Sequence, residues 1–87
     1  PLLLVFFQEL EELKEEFNFT LRDVAAAMGD QGKVIKINIA KNPKLVDALR
    51  VKVIPTLMIY KLGEMVWRQS GEQDANTLIA LMNEYVN

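Results

Sequence analysis

The stretch that decides the fold is Val53-Ile54-Pro55-Thr56-Leu57-Met58-Ile59-Tyr60, an apolar, β-branched and aromatic run with a proline near its start. Such a run predicts a strand buried on both faces, and proline is tolerated only at its beginning, where the missing N–H breaks no ladder hydrogen bond. A second β-rich stretch, residues 65–70, follows Gly63, which can adopt the positive φ of a tight turn. The two stretches together predict an antiparallel hairpin.

The chain before this hairpin predicts a strand, a helix and a second strand. Residues 2–7 form an unbroken apolar run, which is typical of a buried parallel strand. Residues 8–28 carry apolar side chains at helical spacing, and this stripe consists of Leu10, Leu13, Phe17, Leu21, Val24 and Met28. Residues 33–39 predict the next strand, with Ile35, Ile37 and Ile39 on one face. The three elements form a βαβ unit, for which we expect a right-handed crossover.

Two further helices are predicted from their start signals. Asn42 is a candidate N-cap and Pro43 a first helical residue, which begins a short helix through Leu49. Asp74 is a candidate N-cap for a final helix over residues 75–85. The element order is therefore βαβα-ββ-α, which predicts an α/β fold with a mixed sheet and helices on both faces. At 87 residues, we expect one domain, 1–87.

The composition excludes several function classes. The net charge is −2, and the sequence contains no run of Lys or Arg that would form a local basic patch. We therefore expect no nucleic-acid partner. The apolar residues 1–7 are too few to span a bilayer, and we expect no membrane partner and a cytoplasmic location. The sequence contains no cysteine and no histidine, so we expect neither a disulfide nor a zinc site.

A group of glutamates near the start of the long helix is a candidate for paired catalytic carboxylates or a metal site; it comprises Glu11, Glu12, Glu15 and Glu16. Negative charge is also favoured at a helix N-terminus by the macrodipole. Hard cations require several converging oxygens, and nothing else acidic lies nearby in sequence. We therefore interpret these residues as solvated helix charges and predict neither a metal nor a cofactor.

The chain resembles the thioredoxin family over its whole length. The resemblance is carried by four motifs in the family's order and spacing, namely Asn38 with Asn42-Pro43, Val51 with Ile54-Pro55-Thr56, Tyr60-Lys61 with Gly63, and Gly71. It implies a thioredoxin-like three-layer sandwich in which the bond between Ile54 and Pro55 is cis.

The resemblance fails at the residues that carry the family's redox chemistry. Thioredoxins have a W-C-G-P-C motif at the start of the long helix, and residues 10–14, Leu-Glu-Glu-Leu-Lys, stand there in this sequence. The family's buried acid in the first strand falls near Val5. Dithiol–disulfide exchange requires a thiolate, so the sequence as written cannot perform it.

A second departure lies at the N-terminus, where the family usually has one more strand and helix. The fold is therefore expected to be N-terminally truncated, and we expect a longer parent protein. Without the additional strand, residues 33–39 become a sheet edge, and an open edge is a template for association. We therefore expect a homo-oligomer through residues 33–39 if the chain folds as written.

The resulting hypothesis is a redox-inactive thioredoxin-like domain that binds a protein or extended peptide. In the resembled fold, the residue before the cis-proline presents its backbone to an extended peptide. The groove would lie between the helix start and the proline loop, with Ile54, Pro55, Leu10, Glu11, Lys14 and Gly71 as its residues. No residue is assigned a catalytic role.

Two alternatives stay open. The first is a thiol–disulfide oxidoreductase whose CxxC motif is absent from this sequence through mutation, engineering or missing residues. The second is a glutathione-dependent enzyme of the same superfold, which needs a hydroxyl or thiol after the first strand. Phe7, Gln8 and Glu9 supply neither group, so this alternative ranks last.

Overall fold

The mixed sheet forms the middle layer of the computed structural model, which describes residues 1–8 and 15–87. The described residues form four strands, which are β1 (Leu2–Phe7), β2 (Lys33–Asn38), β3 (Thr56–Lys61) and β4 (Glu64–Ser70). They form three α-helices, which are α1 (Glu15–Met28), α2 (Pro43–Ala48) and α3 (Ala75–Glu84). Short 3₁₀ turns follow α1 and β2. The predicted element order is confirmed.

The sheet has the order β2-β1-β3-β4. β1 runs parallel to β2 and antiparallel to β3, and β3 and β4 form the predicted hairpin. At the turn, Leu62 has φ 52° and Gly63 has φ 82°. Positive φ at both central residues is the geometry that suits the twist of a two-residue hairpin.

The two faces of the sheet carry separate apolar clusters. Leu3 and Val5 lie opposite Ile59 and Leu57, so their side chains share the face that packs against α1 and α3. The side chains of Phe6 and Met58 lie on the opposite face of the sheet, which is the face toward α2, and they pack with Val51 there. Both faces of β3 are buried, as the apolar run predicts.

Several predicted element ends are wrong, each for a local reason. β3 begins at Thr56 and not at Val53, because Pro55 has no N–H to donate to a ladder. β2 ends at Asn38 and not at Ile39, because the Asn38 side chain accepts a hydrogen bond from the N–H of Ala40 at 2.9 Å and turns the chain. Gln8 forms a β-bridge and does not begin the long helix.

The predicted helix caps have different outcomes. Asp74 caps α3, because its carboxylate accepts a hydrogen bond from the N–H of Thr77 at 2.8 Å. Asn42 occupies the N-cap position of α2 but does not cap it with its side chain. Its amide instead donates to the carbonyl of Asn38 at 2.9 Å, which closes the turn after β2. α2 ends at Ala48, one residue before the predicted Leu49.

Candidate functional site

The candidate site is built around the connection between α2 and β3, residues 49–55. After α2, Arg50 has φ 53°, which turns the chain back toward the sheet. The N–H of Val51 then donates to the carbonyl of Val46 at 3.0 Å, and the Val51 side chain is buried against Phe6 and Met58. The first part of the connection is therefore fixed to the core.

Arg68 on β4 holds the same connection from the side. Its guanidinium donates to the carbonyl of Leu49 at 2.5 Å and to that of Arg50 at 2.9 Å. A planar guanidinium can satisfy two carbonyls at once, which a lysine cannot do with the same geometry. Arg68 therefore ties the end of α2 to the hairpin.

Pro55 and Gly71 lie together at the end of the connection. The peptide bond between Ile54 and Pro55 is cis. The carbonyl of Pro55 accepts a hydrogen bond from the N–H of Gly71 at 2.8 Å, and Gly71 has φ 93°, a conformation that favours glycine. The hydroxyl of Thr56 donates to the carbonyl of Val53 at 2.5 Å. The loop is therefore hydrogen-bonded at both of its ends.

Between these anchor points, the loop presents an apolar surface. Val53 is 53% exposed, and Lys52 beside it is exposed as well. Ile54 and Pro55 are half-buried, and Ile54 packs against the Phe6–Val51–Met58 cluster. The arrangement offers backbone groups and apolar side chains at fixed positions, which suits binding of an extended chain.

The structure brings three of the predicted groove residues to one place, namely Ile54, Pro55 and Gly71. Leu10, Glu11 and Lys14, predicted as the opposite wall, lie outside the described residues. The sequence does not identify two residues of the site: its apolar pattern places Val53 in a buried strand, and the partners of Arg68 precede it by 18 and 19 residues. No local sequence signal connects Arg68 to those carbonyls.

Few of the described residues at the site have side chains that could take part in a reaction. The 87 residues contain no cysteine, and Val5, where the resemblance implies an acid, is fully buried among apolar side chains. Within residues 1–8 and 15–87, no group of three or more His, Cys, Asp or Glu residues could hold a metal ion. None of the helices in this part of the chain is long and apolar enough to cross a membrane.

Comparison with known proteins places this geometry in a family. The thioredoxin family model matches residues 11–84. A thioredoxin from Rickettsia prowazekii is 33% identical over 64 residues, which cover 74% of this chain and 61% of the relative. A thioredoxin from Pyropia yezoensis is 32% identical over 78 residues, which cover 90% of this chain and 63% of the relative. The chain thus spans about three-fifths of the length of these relatives.

Solved structures agree with the sequence comparison. Chloroplastic thioredoxin z superimposes with a TM-score of 0.81 at 26% identity, over 97% of this chain and 76% of that one. A mutant thioredoxin from Halobacterium salinarum superimposes with a TM-score of 0.76 at 27% identity, over 99% of this chain and 74% of that one. The order of the strands, the loop at Pro55 and these matches lead to one conclusion. The chain belongs to the thioredoxin family.

Proposed function

We propose that residues 1–87 act as one redox-inactive thioredoxin-family domain that binds an extended protein segment at the Pro55 loop. The observation that carries the proposal is the combination of a fixed backbone and an exposed apolar side chain. Hydrogen bonds involving Arg68 and Gly71 anchor the loop, while Val53 between them is 53% exposed. A loop that is already ordered loses little conformational entropy when a partner binds.

The mode of binding that fits this loop is strand addition. An extended peptide beside Ile54 would exchange backbone hydrogen bonds with it, and an apolar peptide side chain would contact Val53. Among the described residues, no atom outside the chain neighbours of Gly71 lies within 4 Å of where a Cβ on Gly71 would be, which leaves space beside Pro55. The opposite wall of the groove is still predicted to be formed by Leu10, Glu11 and Lys14.

The chemistry of the 87 residues supports the redox-inactive part of the proposal. Thiol–disulfide exchange begins with attack by a thiolate, and the sequence contains none. Membership of the thioredoxin family is compatible with a binding role, since target recognition has been described for chloroplastic thioredoxin z.

The test uses a peptide selected on the protein itself. A random peptide display library is panned on the 87-residue chain, and the enriched peptide is titrated while amide chemical shifts are followed. We expect saturable shifts at Val53, Ile54 and Gly71. Val53→Glu should weaken the affinity by about tenfold or more, which corresponds to about 1.4 kcal/mol.

The matched control is Leu62→Glu, since Leu62 is 94% exposed at the hairpin turn. This variant should bind the peptide with the same affinity as the unsubstituted chain. Shifts confined to residues remote from Pro55, or equal losses in both variants, would refute the proposal. Reduction of insulin disulfides by the mass-verified chain would instead favour the oxidoreductase alternative.

Two further predictions concern the molecule as a whole. Homo-oligomerisation through residues 33–39 stays a prediction, and sedimentation at several protein concentrations tests it. A cytoplasmic location stays a prediction as well, and imaging of the fluorescently tagged protein in cells tests it.

A further inference from the structure

The loop that precedes Pro55 belongs to the basic part of an acidic chain. Residues 41–52, which contain α2 and the first part of the loop, carry four basic side chains and one acidic side chain, and these are Lys41, Lys44, Arg50, Lys52 and Asp47. The chain as a whole has a net charge of −2. All five side chains are exposed. A ligand that approaches this end of the loop therefore meets an excess of positive charge.

Two of these cations, Arg50 and Lys52, are the nearest in sequence to the exposed side chain of Val53. The carbonyl of Arg50 accepts a hydrogen bond from Arg68 at 2.9 Å, so its backbone is held while its side chain is exposed. Val51 is buried against the core, and Lys52 after it is exposed. Both cations therefore extend from a backbone that is fixed before a partner binds.

Arg68 adds a third positive charge to the same side of the loop. Its guanidinium donates to the carbonyls of Leu49 and Arg50, and it is exposed. A carbonyl is a neutral acceptor, so these hydrogen bonds orient the guanidinium and leave its charge in place. The hydrogen bonds that stabilise the loop thus also add to its positive charge.

The other side of the loop lacks this excess of positive charge. The N–H of Gly71 donates to the carbonyl of Pro55, and Glu72 after it is exposed. The predicted opposite wall contributes one acidic and one basic residue, Glu11 and Lys14, which lie outside the described residues. Among the described residues at the site, the positive charges therefore lie on the α2 side. A partner segment would meet them on one side of its apolar residue.

The charge of the loop selects among the extended segments that could bind there. We propose that the partner segment is acidic, with an apolar side chain at Val53 and Asp or Glu residues on one side of it at Arg50 and Lys52. This inference rests on the binding role proposed for the Pro55 loop. Complementary charges across an interface favour the correct partner, and like charges disfavour a segment with lysines at the same positions.

The test begins with the composition of the selected peptides. Peptides that are enriched from the random library and shift the Val53 and Ile54 amides are sequenced, and we expect an excess of Asp and Glu over the unselected library. One enriched peptide is then synthesised with its acidic residues replaced by glutamine or by lysine. Because exposed ion pairs are modest, we expect the affinity to fall about threefold for glutamine and about tenfold or more for lysine. Added salt should reduce both differences.

Charge reversal on the protein provides the matched variants. Lys52→Glu should weaken binding of the acidic peptide by about fivefold, and adding Arg50→Glu should make the lysine form the tighter binder. Lys33→Glu makes the same change at an exposed residue that pairs with Leu2, at the start of β1, whereas the loop leads into β3 at the end of β1. This control should leave the preference unchanged. The peptide series tests the same charges without altering the protein, so the result does not depend on the folding of any variant.

Two outcomes would overturn the proposal and leave the binding role of the loop standing. The first is a set of enriched peptides that shift the Val53 and Ile54 amides but contain no excess of acidic residues. The second is equal or tighter binding of the lysine form by the unsubstituted chain. If no enriched peptide shifts these amides, the binding role of the loop is refuted, and the acidic partner with it.

Discussion

The two faces of the sheet differ in how completely the described helices cover them. On the face toward α1 and α3, Leu3, Val5, Leu57 and Ile59 are all fully buried. On the opposite face, Phe6 and Met58 are buried on the α2 side, whereas Leu2, Ile35 and Met65 are 38–39% exposed. All of these side chains are apolar, so the difference lies in how the helices cover them and not in the type of residue. Substitutions on the first face should therefore reduce the stability of the fold most. On the second face, substitutions away from α2 should reduce it less.

The largest expected effect on stability is at the face of the sheet that packs against α1 and α3. Leu57→Ala removes a fully buried side chain between the sheet and the two long helices, and the surroundings can only partly close the cavity. We expect the free energy of unfolding to fall by about 2–5 kcal/mol. Urea denaturation followed by Trp67 fluorescence measures it. A loss below about 1 kcal/mol would mean that this face does not dominate.

A smaller effect on stability is expected at Arg68, which hydrogen-bonds to the end of α2 from the hairpin. Arg68→Lys keeps the charge but cannot donate to the carbonyls of Leu49 and Arg50 from two separate nitrogens, as the planar guanidinium does. Because Arg68 is exposed, we expect a loss of only about 1 kcal/mol in unfolding free energy. Faster amide exchange at Val51 should accompany the loss. Unchanged exchange would show that the core contacts of Val51 alone fix the loop.

A still smaller effect is expected at the open part of the second face. Ile35→Thr keeps a β-branched side chain on β2 and shortens one that is already 39% exposed. The free energy of unfolding should change by less than about 1 kcal/mol, while binding of a hydrophobic dye should decrease. A loss comparable to that of Leu57→Ala would contradict the contrast between the faces.

The smallest effect concerns the cap of α3, the helix that covers the first face. Hydrogen bonds from the side chain and backbone of Thr77 lower the pKa of Asp74 below its usual 3.8. The carboxylate therefore contributes stability that is fully present above pH 3.8 and is lost as the pH falls through the lower folded-state pKa.

Asp74→Asn keeps a capping side chain but removes this titration. We expect the parent chain to have the higher unfolding temperature near neutral pH, with the difference shrinking as the pH falls below about 4. Thermal melts across this pH range measure it. A difference that is independent of pH would show that the charge of Asp74 does not contribute.

Local patterns in the sequence predicted most of the elements, including the order βαβα-ββ-α, the Gly63 turn and the Asp74 cap. Some predicted element ends were wrong because a side chain forms a hydrogen bond outside its own element. The Asn42 amide bonds to the Asn38 carbonyl and not to its own helix, and Asn38 ends β2 one residue early. Of the predicted groove, Ile54, Pro55 and Gly71 lie together, whereas the apolar pattern of the sequence does not predict the exposure of Val53.

The sequence by itself determined which segments are apolar, at what spacing, and that no thiol is present among the 87 residues. These properties depend on residue type and near neighbours alone. Tertiary structure decided which apolar face is covered, how Arg68 fixes a loop distant in sequence, and that Gly71 lies beside Pro55. Such properties arise from contacts between segments far apart along the chain, whose distances no local pattern specifies.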